Sequence, residues 1–179
     1  MSAAELTLAR WRGDIVEITA CGAPATELTR RARDAGWGLP PLGVIARCGA
    51  GLALAVRPQR WQLLAPAASG AGFAGVATVV ELSAGLAAFF LAGPAVRSTL
   101  RRGCRLDLEG AAFPAGTAAA TSMAQVAVTV AALPRGFLLL TPASTAQHFE
   151  EWLAGAARAT GMTRGRDVTV ADMYGAASP

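Results

Sequence analysis

Few residues of this chain have the types and spacing that chemistry needs. The first is the run Gly70-Ala71-Gly72-Phe73-Ala74-Gly75, a match to G-x-G-x-x-G. That pattern binds dinucleotides when a strand leads into it and a helix leads out, so that the helix N-terminus faces the pyrophosphate. Here Pro66 interrupts the approach, and Val76-Ala77-Thr78-Val79-Val80 follows, which is β-branched and reads as a strand. No acidic residue stands about 20 positions on to hold a ribose. A small-residue loop is the expectation. His148 is the single histidine. A general base needs an orienting partner and a cleft, whereas His148 sits early in an amphipathic stretch beside Glu150 and Glu151. It is expected on a solvated helix face.

Asp107 and Glu109 are two apart on an extended segment, a spacing that puts paired carboxylates on one side. Nothing nearby in sequence marks either as a general acid or base. Solvation, an ion pair with Arg105, or a cap on the backbone near Gly103 are the competing roles. Cys104 follows a predicted helix end, where the dipole disfavours a thiolate, so an inert buried thiol is expected. The other cysteines, Cys21 and Cys48, form no C-x-x-C pair with it, so neither a zinc site nor a disulfide framework is indicated. A reducing cytoplasm suits that usage. All 16 basic residues are arginine, which excludes lysine Schiff-base chemistry. The arginines at 30–33 and 101–105 lack interleaved aromatics, and no nucleic-acid partner is expected.

The elements that must position these residues read as alternating strands and short helices. Residues 1–12 read as a loose N-terminal arm, with Trp11 as an anchor. Ile15, Val16 and Ile18 belong to a strand, and a helix follows over 25–35 with Leu28, Ala32 and Ala35 inward and Arg30, Arg31 and Arg33 outward. Strands are expected at 44–48, 52–56, 61–65, 76–82 and 86–91, separated by Gly- and Pro-containing turns. Gly93-Pro94 opens a second helix, in which Val96 and Leu100 share a buried face, and Gly103 ends it. Residues 106–109 alternate as a short strand or extended turn. Residues 117–131 alternate, with Val126, Val128 and Val130 to one side. Pro134-Arg135-Gly136 turns the chain, and 137–140 is a buried apolar strand. Ser144 or Thr145 then caps a helix that buries Phe149, Trp152, Leu153 and Ala156 and turns Glu150 and Glu151 away. Residues 159–179 form a polar tail with a possible edge strand at 168–170. The organisation is α+β: one domain over 13–158, built of two halves with helices packed on antiparallel sheets.

Length and composition fit that picture. A chain of 179 residues buries about 70% of its unfolded surface. Only 16% of residues are charged, against about 25% in ordinary domains. Either part of the surface is covered by another chain, or abundant Ala and Gly inflate the apolar count. The net charge is a mild +4. The N-terminus lacks the apolar core of a signal peptide. Residues 110–134 carry no charge but alternate, so no membrane span is expected.

The motifs Gly103-Cys104-x-Leu106-Asp107-Leu108, Phe113-Pro114-x-Gly116, Phe137-x-Leu139-Leu140 and Trp152-Leu153-x-x-Ala156 occur in register. Thr121 and Ala124 lie among them, and Pro58-x-x-Trp61, Leu82-Ser83 and Gly93-Pro94-Ala95 lie upstream. In this pattern the chain resembles the gamma subunit of heterotetrameric sarcosine oxidase over roughly residues 25–158. It departs at Ala143-Ser144-Thr145-Ala146, where that family has Arg-Ser-Phe-Ala. The resemblance implies a fold similar to the folate-binding domain of the glycine-cleavage T-protein group. It implies a structural, non-catalytic chain that packs on the large subunit of a cytoplasmic complex, with alpha, beta and delta subunits as partners. That complex oxidatively demethylates sarcosine or a related N-methyl amino acid. FAD, FMN, NAD, tetrahydrofolate and zinc are then expected on the partner subunits, with none on this chain. Trp11, Trp37 and Trp61 are the expected partner contacts, with core packing as the alternative for each. A second reading is a stand-alone folate-binding or one-carbon-transfer protein of the same fold, for which Asp107 and Glu81 are the nearest carboxylates to grip a pterin.

Overall fold

The computed structural model describes residues 5–22, 24–68 and 70–175. In chain order the elements are β1 (Leu6–Arg10), β2 (Asp14–Ala20), α1 (Ala25–Asp34), β3 (Ile45–Cys48), β4 (Gly51–Arg57), β5 (Arg60–Ala65), β6 (Ala77–Glu81) and β7 (Leu86–Ala92). Then come α2 (Val96–Leu100), β8 (Ala118–Met123), β9 (Val126–Leu133), β10 (Gly136–Pro142), α3 (Ala146–Ala156), β11 (Met162–Arg164) and α4 (Val170–Tyr174). The class is α+β, with antiparallel sheets and few helices. The chain divides into two compact units, one formed by Met1–Arg12 with Gly85–Pro179 and the other by Gly13–Ala84.

In the first unit the strand order is β11-β1-β7-β10-β9-β8, antiparallel except for the β1–β11 pair. Period-two alternation sends Leu6 and Leu8, Phe89 and Leu91, Phe137 and Leu139, and Val126, Val128 and Val130 into one core cluster. α2 adds Val96 and Leu100 to it, and α3 adds Ala146, Phe149, Leu153 and Ala157 at helical spacing. Each large side chain so buried contributes about 1.5–3 kcal/mol. All of Phe137, Leu138, Leu139 and Leu140 are buried, so β10 is covered on both faces, as its unbroken apolar run requires.

The second unit is a sheet of order β3-β4-β5-β2-β6, antiparallel throughout. α1 lays Leu28 and Ala32 over Val16, Ile18, Ala53 and Leu63, whereas Ala35, expected inward, is exposed because the helix ends at Asp34. Its outer face holds an ion-pair cluster in which Glu27 meets Arg30 at 2.7 Å and Arg31 at 3.1 Å, and Arg30 also meets Asp34 at 2.7 Å. The hydrogen bonds from Arg30, then Arg31, hold the Glu27 carboxyl down at about 2.

Several expectations need correction. The stretch 1–12 is not a loose arm where it is described. Leu6–Arg10 lies between β11 and β7, and Leu6 and Leu8 are core residues. The alternation Leu6-Thr7-Leu8-Ala9-Arg10 is a strand pattern, and its partners arrive from far along the chain. The boundary accordingly falls at 12/13 and 84/85, and the segment after 158 joins the first unit. The edge strand of that segment is Met162–Arg164, not 168–170. Val168 makes a single bridge to Trp11, and the next residues enter α4. Thr169 and Asp172 form a reciprocal capping box there, which outcompetes strand pairing. Residues 1–4 of the expected arm and 176–179 of the tail lie outside the described residues.

The alternating stretch 117–131 is divided by a hairpin turn: Ala124 and Gln125 form a two-residue loop with φ of +51° and +66°. Both are poor residues for that conformation, which is why no turn is legible there. Replacing the pair with Asn-Gly is expected to raise stability by about 1 kcal/mol, read as a higher urea midpoint at constant slope.

Candidate functional site

The glycine-rich run makes no phosphate cradle. Ala71–Phe73 is a single short 3-10 turn, Phe73 is buried in the core of the second unit, and strand β6 follows where a helix would be needed.

His148 is exposed on α3. Asp107 accepts the backbone N–H of Glu109 at 3.0 Å, and Glu109 pairs with Arg101 at 2.7 Å, not with the expected Arg105. These residues lie in irregular chain, not in a strand. Cys104 bridges to Met123, and burial pushes its thiol pKa up, away from thiolate chemistry. Gly103 does not end α2 through a left-handed conformation. It is required because a Cβ there would sit 2.4 Å from the Trp152 ring. Glu81 accepts from the Ser83 hydroxyl and backbone, which lowers its pKa. Asp107 and Glu81 are therefore exposed groups with local hydrogen-bond partners. No group of three or more His, Cys, Asp or Glu suited to a metal ion occurs among the described residues. No helix among them is long and apolar enough to cross a membrane.

The structure assembles one charged cluster that sequence reasoning missed. Glu150 does not face away: it is 8% exposed. Arg10 Nη2 donates to its Oε2 at 2.5 Å, and Arg164 Nη2 stands 2.6 Å from Oε1. The second approach is an ion pair without hydrogen-bond alignment, since Oε1 has no hydrogen-bond donor in proper geometry. The Arg10 guanidinium also lies 4.8 Å from the centre of the Phe89 ring. The signal was present twice. Arg10 follows Leu6 and Leu8 at strand spacing, and Glu150 sits between Ala146 and Leu153 at helical spacing, so both charges belong to the covered side. The cluster ties β1 and β11 to α3 and holds no free nucleophile. Glu150→Ala leaves Arg10 without its counter-ion in a position only one-third exposed. The expected cost is about 1–2 kcal/mol, below that of a fully buried pair because water reaches Arg10. A urea titration beside Glu150→Gln, which keeps the shape, measures it.

The three tryptophans fall in different settings. Trp11 is 7% exposed and its indole N–H has no hydrogen-bond partner, so it offers a partner little area. Trp37 and Trp61 are half-buried against the core of the second unit. Trp61 donates its indole N–H to the Pro40 carbonyl at 2.8 Å, and it walls a hollow of about 400 Å³ with Leu28 and Leu39. The chain also leaves Leu42, Val44, Val79 and Val80 exposed.

Element order and sheet topology thus define a small α+β fold with helices on antiparallel sheets. Solved structures share it. The chain is similar to one from the heterotetrameric sarcosine oxidase of Corynebacterium sp. U-96, solved in complex with pyrrole 2-carboxylate. The TM-score is 0.78 at 24% identity, over 89% of this chain and 88% of that one. It is also similar to the glycine cleavage system aminomethyltransferase T from Bartonella henselae, with a TM-score of 0.62 at 16% identity, over 94% of this chain and 49% of that one. The chain spans about half the length of the aminomethyltransferase. No protein-family model and no curated protein matches the sequence. The likeness is one of fold, and it is the fold that the motif resemblance implied.

Proposed function

We propose that this chain is a non-catalytic, structural subunit of a heterotetrameric flavin-dependent sarcosine oxidase, corresponding to its gamma subunit. The observation that carries the reading is the end-to-end likeness in fold to one chain of such an oxidase, 89% of this chain on 88% of that one. A match of that extent is to a whole subunit rather than to a shared module. The residues agree with a supporting role. The glycine-rich run lacks its helix, His148 is solvated, Cys104 is held as a thiol, and half-buried tryptophans leave apolar surface for contact. On this reading the complex oxidatively demethylates sarcosine or a related N-methyl amino acid in the cytoplasm. FAD, FMN, NAD, tetrahydrofolate and zinc belong to the alpha, beta and delta partners, and this chain supplies contact area to the large subunit.

Co-expression of a tagged chain with the products of its neighbouring genes tests the reading. Retention of a flavin-containing subunit on the column is the expected result. A chain recovered alone would sink it.

The likeness to the aminomethyltransferase favours a second reading, a stand-alone folate-binding or one-carbon-transfer protein. Asp107 and Glu81 do not serve it, being engaged locally. Calorimetry of the isolated chain with tetrahydrofolate separates the two: micromolar binding supports the second and no heat supports the first.

A further inference from the structure

We propose that the hollow beside α1 in the second unit receives an extended segment of the partner subunit that presents a large apolar side chain next to an acidic one. This rests on the subunit reading above and names the surface that the reading leaves open.

Three observations carry it. The first is the lining. Leu28, Leu39 and Trp61 give it an apolar side, small residues Ala20 and Ala25 line it too, and Thr29 and Gln59 add polar groups. Trp61 spends its only polar group on the Pro40 carbonyl, so its ring is fixed and asks nothing polar of an occupant. The second is continuity. The hollow shares Ala25 and Thr29 with a shallower depression along α1 that reaches Arg30 and Arg33. An occupant therefore runs along the helix instead of sitting in a closed cavity. The third is charge. Arg30 and Arg31 are neutralised by Glu27 and Asp34 within the helix. Arg33 is exposed and takes part in none of these pairs, so the rim carries surplus positive charge. An acidic residue complements it. The hollow alone is far smaller than the roughly 800 Å² per partner of a stable interface, so it serves as the anchor point of a larger contact.

The test uses the full chain co-expressed with the neighbouring subunits, scored by the fraction of them retained. Thr29→Trp fills the passage from an exposed helix position, and Arg33→Glu reverses the rim charge. Each is expected to lower retention by about tenfold, while Arg33→Lys and the distant control Arg102→Glu stay within about twofold of wild type. Circular dichroism shows whether each variant keeps its fold. If wild type retains its partners and both folded variants do so equally, the docking proposal is overturned and the subunit reading stands. If wild type retains nothing, both fall. Self-association of the isolated chain that Thr29→Trp abolishes would also overturn the proposal, by placing a second copy in the hollow.

Discussion

Phe149→Ala is expected to cost about 3–5 kcal/mol, a large part of the roughly 5–15 kcal/mol that holds a domain together. Phe149 has no exposed area, and its ring lies 6.0 Å from that of Phe89 and 5.7 Å from that of Trp152. It joins α3 to strand β7 at the centre of the first unit. Truncation loses the transfer energy of the ring, the ring–ring contacts and whatever volume the neighbours fail to refill. Urea denaturation with near-ultraviolet circular dichroism measures the loss, since the stacked Trp152 reports directly on its neighbour. A cost under about 1 kcal/mol would contradict this placement of α3 on the sheet. Phe149→Leu, which keeps much of the volume, is expected to recover more than half of the loss.

Gly93→Ala is expected to cost about 2–5 kcal/mol through backbone alone. Gly93 has φ of +117°, which L side chains resist, and an added Cβ would lie 2.3 Å from the Glu5 carbonyl oxygen. That oxygen accepts the Ala95 N–H at 3.2 Å, so the chain entering β1 is held against the turn that opens α2. Displacing it strains the start of β1 and the β7 pairing together. The comparison is Gly110→Ala, where an added Cβ meets nothing within 4 Å and the effect should stay within about 0.5 kcal/mol. Equal midpoints for the two variants would show that the N-terminal strand is not held in this way. Limited proteolysis supplies a second readout, with Gly93→Ala expected to expose the chain near Arg10 to trypsin.

The clearest sequence signals were local. Residues 137–140 are unbroken and apolar, and they became the central strand β10, covered on both faces. Leu28 and Ala32 repeat at helical spacing and became the inner face of α1. The glycine-rich run could be set aside because the helix its chemistry needs was missing from the residues that follow. In each case the deciding information lies within about ten residues, and hydrophobic periodicity reads at that range. The errors share a different origin. The hairpin at Ala124 and Gln125 has no turn-forming residues, because pairing along six residues of β8 and β9 imposes a conformation that neither favours.

The α+β class and most of the strand and helix positions are legible in the sequence. Only the tertiary structure decided that residues 6–10 belong with the C-terminal part of the chain, and that Glu150 is an inward partner of Arg10 and Arg164. It also decided that Trp61 walls an open hollow while Trp11 is covered. The reason is distance along the chain. Local spacing puts Arg10 and Glu150 each on a covered side, but they are 140 residues apart, so which charge meets which is fixed only when the strands beneath them have found their neighbours.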